Sequence, residues 1–258
     1  MKQPLAYVHP AAKVAPSVVI DPFVTIDQNV EIGEGTRIMS NVTIMEGARI
    51  GKNCTIFPGA VIGAIPQDLK FRGEETTAII GDNTTIREFV TVNRGTAAKG
   101  KTVVGNNCLI MAYCHVAHDC VVGDNVIMSN AVQLAGEVQV DNYAVIGGGA
   151  LVHQFCHIGP HVMLQGGALV NKDIPPYVKA GREPISFAGV NSIGLRRRNF
   201  TNEQISEIQE IYRYLYLSGM NFSDAIDRIE AELPATKERD EIILFVRNAK
   251  RGIIRGYV

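Results

Sequence analysis

The chain has 258 residues, 46% of them hydrophobic, and 25 basic against 26 acidic side chains leave a formal net charge of -1. That length can bury a large core, and the near-neutral balance offers no attraction to nucleic acid or to an anionic membrane surface. No apolar run of about 18 residues occurs and Met1 to Ala12 carries none of signal-peptide length, so no integral membrane segment is expected and a cytoplasmic location is.

From Val8 onward the chain counts in sixes. Val14, Ile20, Ile26, Ile32, Ile38, Ile44, Ile50, Ile56 and Ile62 follow at that spacing, and the phase resumes at Ile80, Ile86 and Val92 and again from Val104 to Val170. Four residues after each anchor stands a small or β-branched side chain such as Val18, Ala48, Cys54, Ala60 or Ala150. This period matches neither the 3.6 of a helix nor the alternation of a solvated strand. It is the signature of a parallel β-helix, in which three six-residue faces close a triangular coil around the anchors. Residues three repeats apart are then neighbours on adjacent coils, about 4.8 Å apart. Periodicity leaves the hand open, and parallel crossovers are usually right-handed.

Two interruptions, near 64–79 and 93–103, are expected to be external loops. Asp68 and Lys70 in the first could reach over a cleft, and the second carries Arg94, Lys99 and Lys101. All five cysteines occupy the small slot four residues after an anchor, which favours packing over metal, disulfide or redox chemistry.

Chemistry is sought where residues depart from the pattern without serving the core. In the segment 112–120 the core slots belong to Cys114, Val116 and Cys120, leaving His115, His118 and Asp119 surplus. Steps of three repeats from His118 give Gly136 and Gln154, so one edge carries an imidazole, a bare backbone N–H and an amide. An imidazole can deprotonate an alcohol, a carboxylate can stabilise the resulting imidazolium, and an N–H beside glycine can donate to a tetrahedral oxyanion, which together suit acyl transfer. A solvated histidine pair is the plainer reading, and the coincidence of two histidines, an aspartate and a glycine column weighs against it.

His153, His157 and His161, four apart, raise the question of zinc, but on a β-helix four residues can turn a corner, so no metal is expected. His153 and Gln154 are expected in the cleft of His118, with His157 and His161 on the surface. Gly147-Gly148-Gly149 is followed by more β repeat and no helix, which excludes a phosphate loop. Asp173-Ile174-Pro175-Pro176-Tyr177 ends the repeats, since prolines cannot donate to the ladder. An irregular stretch follows. Thr201 with Gln204 then makes a capping box, and Ile205, Ile208, Ile211, Tyr212 and Leu215 recur at helical spacing. Further helices are expected from Ser223 to Pro234 and from about Arg239 to Arg251. The β-helix is thus placed at 1–186 and an α-helical domain at 187–258; Arg196-Arg197-Arg198, ahead of the capping box, reads most simply as a solvated face, although arginine forks also bind phosphate well.

These residues resemble a known family. The segments 65–70, 115–120, 134–136, 152–156, 173–177 and 194–198 occur in the order found in the UDP-N-acetylglucosamine 3-O-acyltransferases of lipid A biosynthesis. The resemblance implies a left-handed parallel β-helix with a small C-terminal α-helical domain, and a homotrimer with active sites between subunits. It implies transfer of a (3R)-3-hydroxyacyl chain from acyl carrier protein to the 3-hydroxyl of UDP-N-acetylglucosamine, without cofactor, metal or covalent intermediate. By the same likeness His118 is the general base, Asp119 its partner and Gly136 the oxyanion donor. Asp68, Lys70 and His115 would contact the sugar; His153, Gln154, Asn191, Arg197 and Arg198 would contact the nucleotide or the acyl-donor end. Gly166 matches a position whose size limits acyl length. Arg247, Lys250, Arg251 and Arg255 are candidates for meeting the carrier protein.

Glu137 stands where family members often have histidine, and Ile193 where they have an acid. The alternatives are the later N-acyltransferase of the same pathway, which normally has an added N-terminal domain whereas these repeats already begin at Val8, an acetyl-CoA-dependent O-acetyltransferase, a zinc-dependent hydratase or lyase on the same fold, and a non-catalytic scaffold.

Overall fold

Every six-residue unit folds alike. A two-residue strand such as Thr25–Ile26 or Thr43–Ile44 turns its first side chain outward and its second into the core. Three residues past the anchor the backbone enters the left-handed region, where Asn29, Asn41, Asn53, Asn107 and Asn125 sit. Asparagine tolerates that conformation, but Phe89, Tyr113, Asp119, Glu137 and Tyr143 adopt it too. Stacking holds them there. The N–H of Glu137 donates to the His118 carbonyl on the neighbouring coil at 3.0 Å, and Tyr143 donates to Asp124 at 3.0 Å. One residue further the chain turns inward again at the small slot. All five cysteines lie there buried and outside any disulfide, filling space, and burial pushes the Cys120 thiol up to about 12.

The computed structural model describes residues 4–256. Among these, the units stack into three sheets of nine, eight and ten strands, parallel throughout the coils, forming a left-handed β-helix. Pairings such as Thr25↔Thr43 and His115↔Gln133 carry the three-repeat register, and Thr55↔Thr85 and Thr91↔His115 restore it across the insertions. Ile26, Ile44, Ile62, Val92, Val116 and Leu134 form one fully buried file. Each such burial is worth about 1.5–3 kcal/mol relative to exposure. Val8 and Val14, on the end coil, are only partly covered.

The loops are shorter than expected. Strands Val61–Ala64, Thr77–Ile80, Thr91–Asn93 and Lys101–Val104 confine them to 65–76 and 94–100, because the flanking residues keep their ladder bonds to adjacent coils. The stretch after Tyr177 is also not irregular. Val178–Gly181 and Ser186–Val190 form an antiparallel pair that extends the ten-stranded sheet through Met163↔Lys179, and the boundary placed between 186 and 187 falls at the first residue of this last strand.

Among the described residues four helices follow: α1 (Ser192–Arg196), α2 (Asn202–Leu217), α3 (Phe222–Glu232) and α4 (Lys237–Asn248). The Thr201–Gln204 capping box opens α2, while Asn221 caps α3 and Thr236 caps α4. The helix expected to reach Arg251 stops at Asn248, since the chain leaves it to place the Arg251 N–H on Asp173 and to bridge Asp173 with Ile253. No helix among the described residues is long and apolar enough to cross a membrane.

Candidate active site

Val116 ends its strand in the core, and the corner that follows lifts His118 outward while the left-handed Asp119 turns its carboxylate inward. His118 Nδ1 lies 2.9 Å from Asp119 Oδ2. The Asp119 carboxylate, fully buried, also accepts the Thr96 N–H at 2.9 Å and the Thr96 hydroxyl at 2.6 Å. Burial acts to raise its pKa, but the Thr96 hydroxyl, His118 and the Thr96 N–H together outweigh burial and hold the carboxyl below its ordinary value. An ionised carboxylate can only accept, so Nδ1 donates to Asp119, and a neutral ring in this tautomer presents its Nε2 lone pair outward.

Gly136 stands one coil on, against the ring. A β-carbon there would lie 2.6 Å from both Cε1 and Nε2 of His118. Among the described residues its N–H donates to no protein acceptor, while its carbonyl accepts from Phe155 at 3.2 Å. Base, buried carboxylate and free N–H therefore meet at one corner, as the three-repeat spacing required.

His115 lies beside them on the same coil, its Nδ1 2.7 Å from Thr91 Oγ1. Burial, and then the neighbouring His118, lower its pKa below the ordinary imidazole value. It lines a cavity of about 560 Å³ on the nine-stranded face, together with Gln133, Leu151, His153 and Pro184. That volume is within the range of small-molecule sites. His153 is exposed there, its Nδ1 3.1 Å from the Gln154 carbonyl, and the Gln154 side chain is exposed at the corner above Gly136.

The remaining candidates lie elsewhere in one chain. Asn191, Arg197 and Arg198 line a second cavity, of about 680 Å³, on the ten-stranded face, with Met163, Lys179 and Ile193. Asn191 is buried, caps α1 at the Gly194 N–H and donates to the His161 carbonyl at 2.9 Å. Arg198 lies 5.1 Å over the Tyr143 ring and, among the described residues, has no carboxylate partner. Asp68 is bound into its own loop, accepting the Lys70 N–H at 2.9 Å, and the Lys70 side chain is exposed. No contact joins either to His118. Gly166 is exposed above Gly148 on the third corner.

His157 and His161 are not simple surface residues. His157 Nε2 binds Asp141 at 2.7 Å and its ring packs on Phe245 of α4; His161 is sandwiched between Tyr143 and Tyr177 with Phe200 at its edge. Both lock the helices to the β-helix. Among the described residues no three His, Cys, Asp or Glu side chains are grouped to hold a metal. Arg247 is also spent structurally, clasping Glu230 with two bonds of 2.8 Å, and Arg251 donates to the Asn171 carbonyl.

Comparisons with known proteins agree with this geometry. Residues 173–254 match the model described as UDP N-acetylglucosamine O-acyltransferase, domain 2; residues 101–136 match bacterial transferase hexapeptide repeats, and residues 2–104 match the GMPPB C-terminal domain. An acyl-(acyl-carrier-protein)–UDP-N-acetylglucosamine O-acyltransferase of Chlorobaculum parvum is 56% identical over 191 residues, covering 72% of this chain and 71% of its own. Its namesake in Myxococcus xanthus is 45% identical over 75% of both chains. The crystal structure of a UDP-N-acetylglucosamine acyltransferase from Bacteroides fragilis superposes with a TM-score of 0.97 at 58% identity, covering 99% of this chain and 100% of that one. This chain belongs to the UDP-N-acetylglucosamine O-acyltransferase family.

For a member of that family, two residues stand out. Glu137 forms an ion pair with Lys99 at 3.6 Å, and Ile193 is exposed at the second cavity. Thr96 and Thr102 were not legible from the sequence, and Lys99 was legible only as a loop cation, because the second insertion looked like an external loop. Its place in the chain was the available signal: it leaves the β-helix at Asn93, on the coil that pairs directly with that of His115.

Proposed function

We propose that this enzyme transfers a (3R)-3-hydroxyacyl group from acyl carrier protein to the 3-hydroxyl of UDP-N-acetylglucosamine, the first step of lipid A biosynthesis. His118 Nε2 takes the proton of the sugar hydroxyl as its oxygen attacks the thioester carbonyl. Asp119 stabilises the imidazolium, and the Gly136 N–H receives the developing oxyanion. Collapse of the tetrahedral intermediate expels the carrier thiolate, which takes the proton back from His118. No metal or diffusible cofactor enters this scheme.

The observation that carries this reading is the meeting of His118, a buried ionised Asp119 and the free Gly136 N–H at one corner. Base and oxyanion donor each plausibly contribute about 10²- to 10³-fold. His115, His153 and Gln154 face the sugar or nucleotide from the same side, while Asn191, Arg197 and Arg198 await phosphate on a different face. One complete site then needs two copies, which supports a homotrimer with sites between subunits. Asp68 and Lys70 would reach the sugar from the first loop, and the missing side chain at exposed Gly166, where a β-carbon would meet the Gly148 carbonyl at 3.1 Å, suits a long acyl chain. The test is His118→Ala with acyl carrier protein thioester and UDP-N-acetylglucosamine, the product measured by mass spectrometry. Turnover should fall at least about 10³-fold; near wild-type turnover by a folded variant would reject the base.

A further inference from the structure

The second insertion is the one departure from the repeat that the reaction scheme leaves unused, although it is well ordered around a single purpose. Thr76 Oγ1 donates to the Gly95 carbonyl at 2.6 Å, and the Gly95 N–H donates to Thr77 at 3.1 Å, tying the loop to the coil beneath. The Gly100 N–H closes the loop on the Thr96 carbonyl at 2.7 Å. These bonds leave Thr96, only 8% exposed, over Asp119. Its hydroxyl oxygen accepts the Ala98 N–H at 3.2 Å, so its one proton is committed to Asp119 Oδ2, while its N–H is directed to Oδ1. On the opposite side, the Asp119 N–H is fixed by Thr102 Oγ1 at 2.8 Å. No rotation of the carboxylate remains that would keep these bonds.

We infer that Thr96 is a positioning residue of the reaction, delivered by the 94–100 loop to fix the Asp119 carboxylate so that it holds the Nδ1–H of His118 and leaves Nε2 as the base. This rests on the reading of His118 as the general base. The Thr96 hydroxyl and His118 share Oδ2, so the hydroxyl also disperses the charge that would otherwise pull His118 towards the imidazolium. The other ionisable groups around the pair are His115 beside His118, Lys99, whose ammonium lies 3.5 Å from the Asp119 carbonyl, Glu137 paired with Lys99, and the buried Cys120 thiol. None of them donates to the Asp119 carboxylate.

The test is a pH–rate profile of the full-length enzyme carrying Thr96→Val, which keeps the backbone N–H and loses the hydroxyl, beside Thr96→Ser, which keeps both. In the valine variant kcat should fall about tenfold at neutral pH while the KM of each substrate stays within about twofold, and the acid limb of the profile should move to higher pH. Serine should restore rate and limb together. A loop that merely stabilises the fold would lower the melting temperature in the valine variant but leave the limb where it was; that result, or equal losses with valine and serine, overturns the inference. If valine prevents folding, 15N NMR of the wild-type His118 ring decides. Nδ1–H at neutral pH supports the positioning role, and Nε2–H contradicts it. An active His118→Ala variant would remove the base itself, whereas an inactive His118→Ala beside an unaltered Thr96→Val would refute only the part given to Thr96.

Discussion

The imidazole of His118 rests on the α-carbon of Gly136, so closely that a β-carbon would come within 2.6 Å of two ring atoms. A contact this short forbids any side chain at 136 unless the ring swings away. Gly136→Ala should therefore lower kcat about 100-fold, since displacing a catalytic group by about 1 Å has that effect. Its melting temperature should stay within a few degrees of wild type, because the obstructing atoms end a side chain that can move. Steady-state kinetics and thermal unfolding check both, and an alanine variant with more than a third of the wild-type rate would show that the ring is not needed where it lies.

The repeat made most of this readable in advance. Anchors, small slots and stacking follow from one period, so the union of His118 and Gly136 could be reached by counting, and the Thr201 capping box marked the start of α2. What escaped depended on contacts that no period describes. Thr96 reaches Asp119 from an insertion, the Val178–Gly181 and Ser186–Val190 pair is antiparallel with a shifted register, and His161 is half-covered by Phe200, from the link between α1 and α2. Arg197 and Arg198 were legible as possible phosphate forks and Asn191 only through the family resemblance, but counting could not tell that they occupy another face of the prism than His115 and His153.

That separation of faces predicts complementation. His118→Ala and Arg198→Ala should each be nearly inactive alone. Co-expressed in equal amounts and randomly assembled into trimers, they should regain about a quarter of the wild-type sites, those pairing an intact His118 from one copy with an intact Arg198 from the next. Activity of the whole co-expressed population measures this, and mixed trimers purified through two different affinity tags should carry one intact site in three. No recovery would place both residues in a site built by one chain.

Arg198 is presented by an aromatic stack: its guanidinium lies 5.1 Å over Tyr143, which stacks on His161 at 5.0 Å, which in turn faces Tyr177 at 5.6 Å. Arg198 has no carboxylate partner among the described residues. A cation over a ring is worth about 0.5–2 kcal/mol. Tyr143→Leu should thus raise the KM of the substrate that Arg198 meets by about five- to tenfold with kcat held, while Tyr143→Phe should match wild type within about twofold. Separate titrations of UDP-N-acetylglucosamine and of acyl carrier protein thioester identify that substrate, and an unchanged KM for both would detach the stack from binding.

The same stack makes stability depend on pH through His161. Burial, then the charges of Arg198 and Lys237, lower its pKa to about 4 from the ordinary 6.5, and its Nδ1 is buried without a partner. A neutral imidazole can leave that nitrogen as a lone pair, whereas an imidazolium would bury an unpaired N–H. The folded form thus refuses a proton that the unfolded chain accepts. Its contribution is fully present above pH 6.5 and is lost as pH falls towards 4, on the order of 2 kcal/mol after allowing for partial exposure. His161→Phe keeps the stack and removes the titration, so over that interval wild type should lose more stability than the variant by about this amount. Denaturant unfolding at several pH values at fixed protein concentration measures the difference, and parallel losses in the two proteins would show that His161 takes up its proton in the folded state as readily as in the unfolded one.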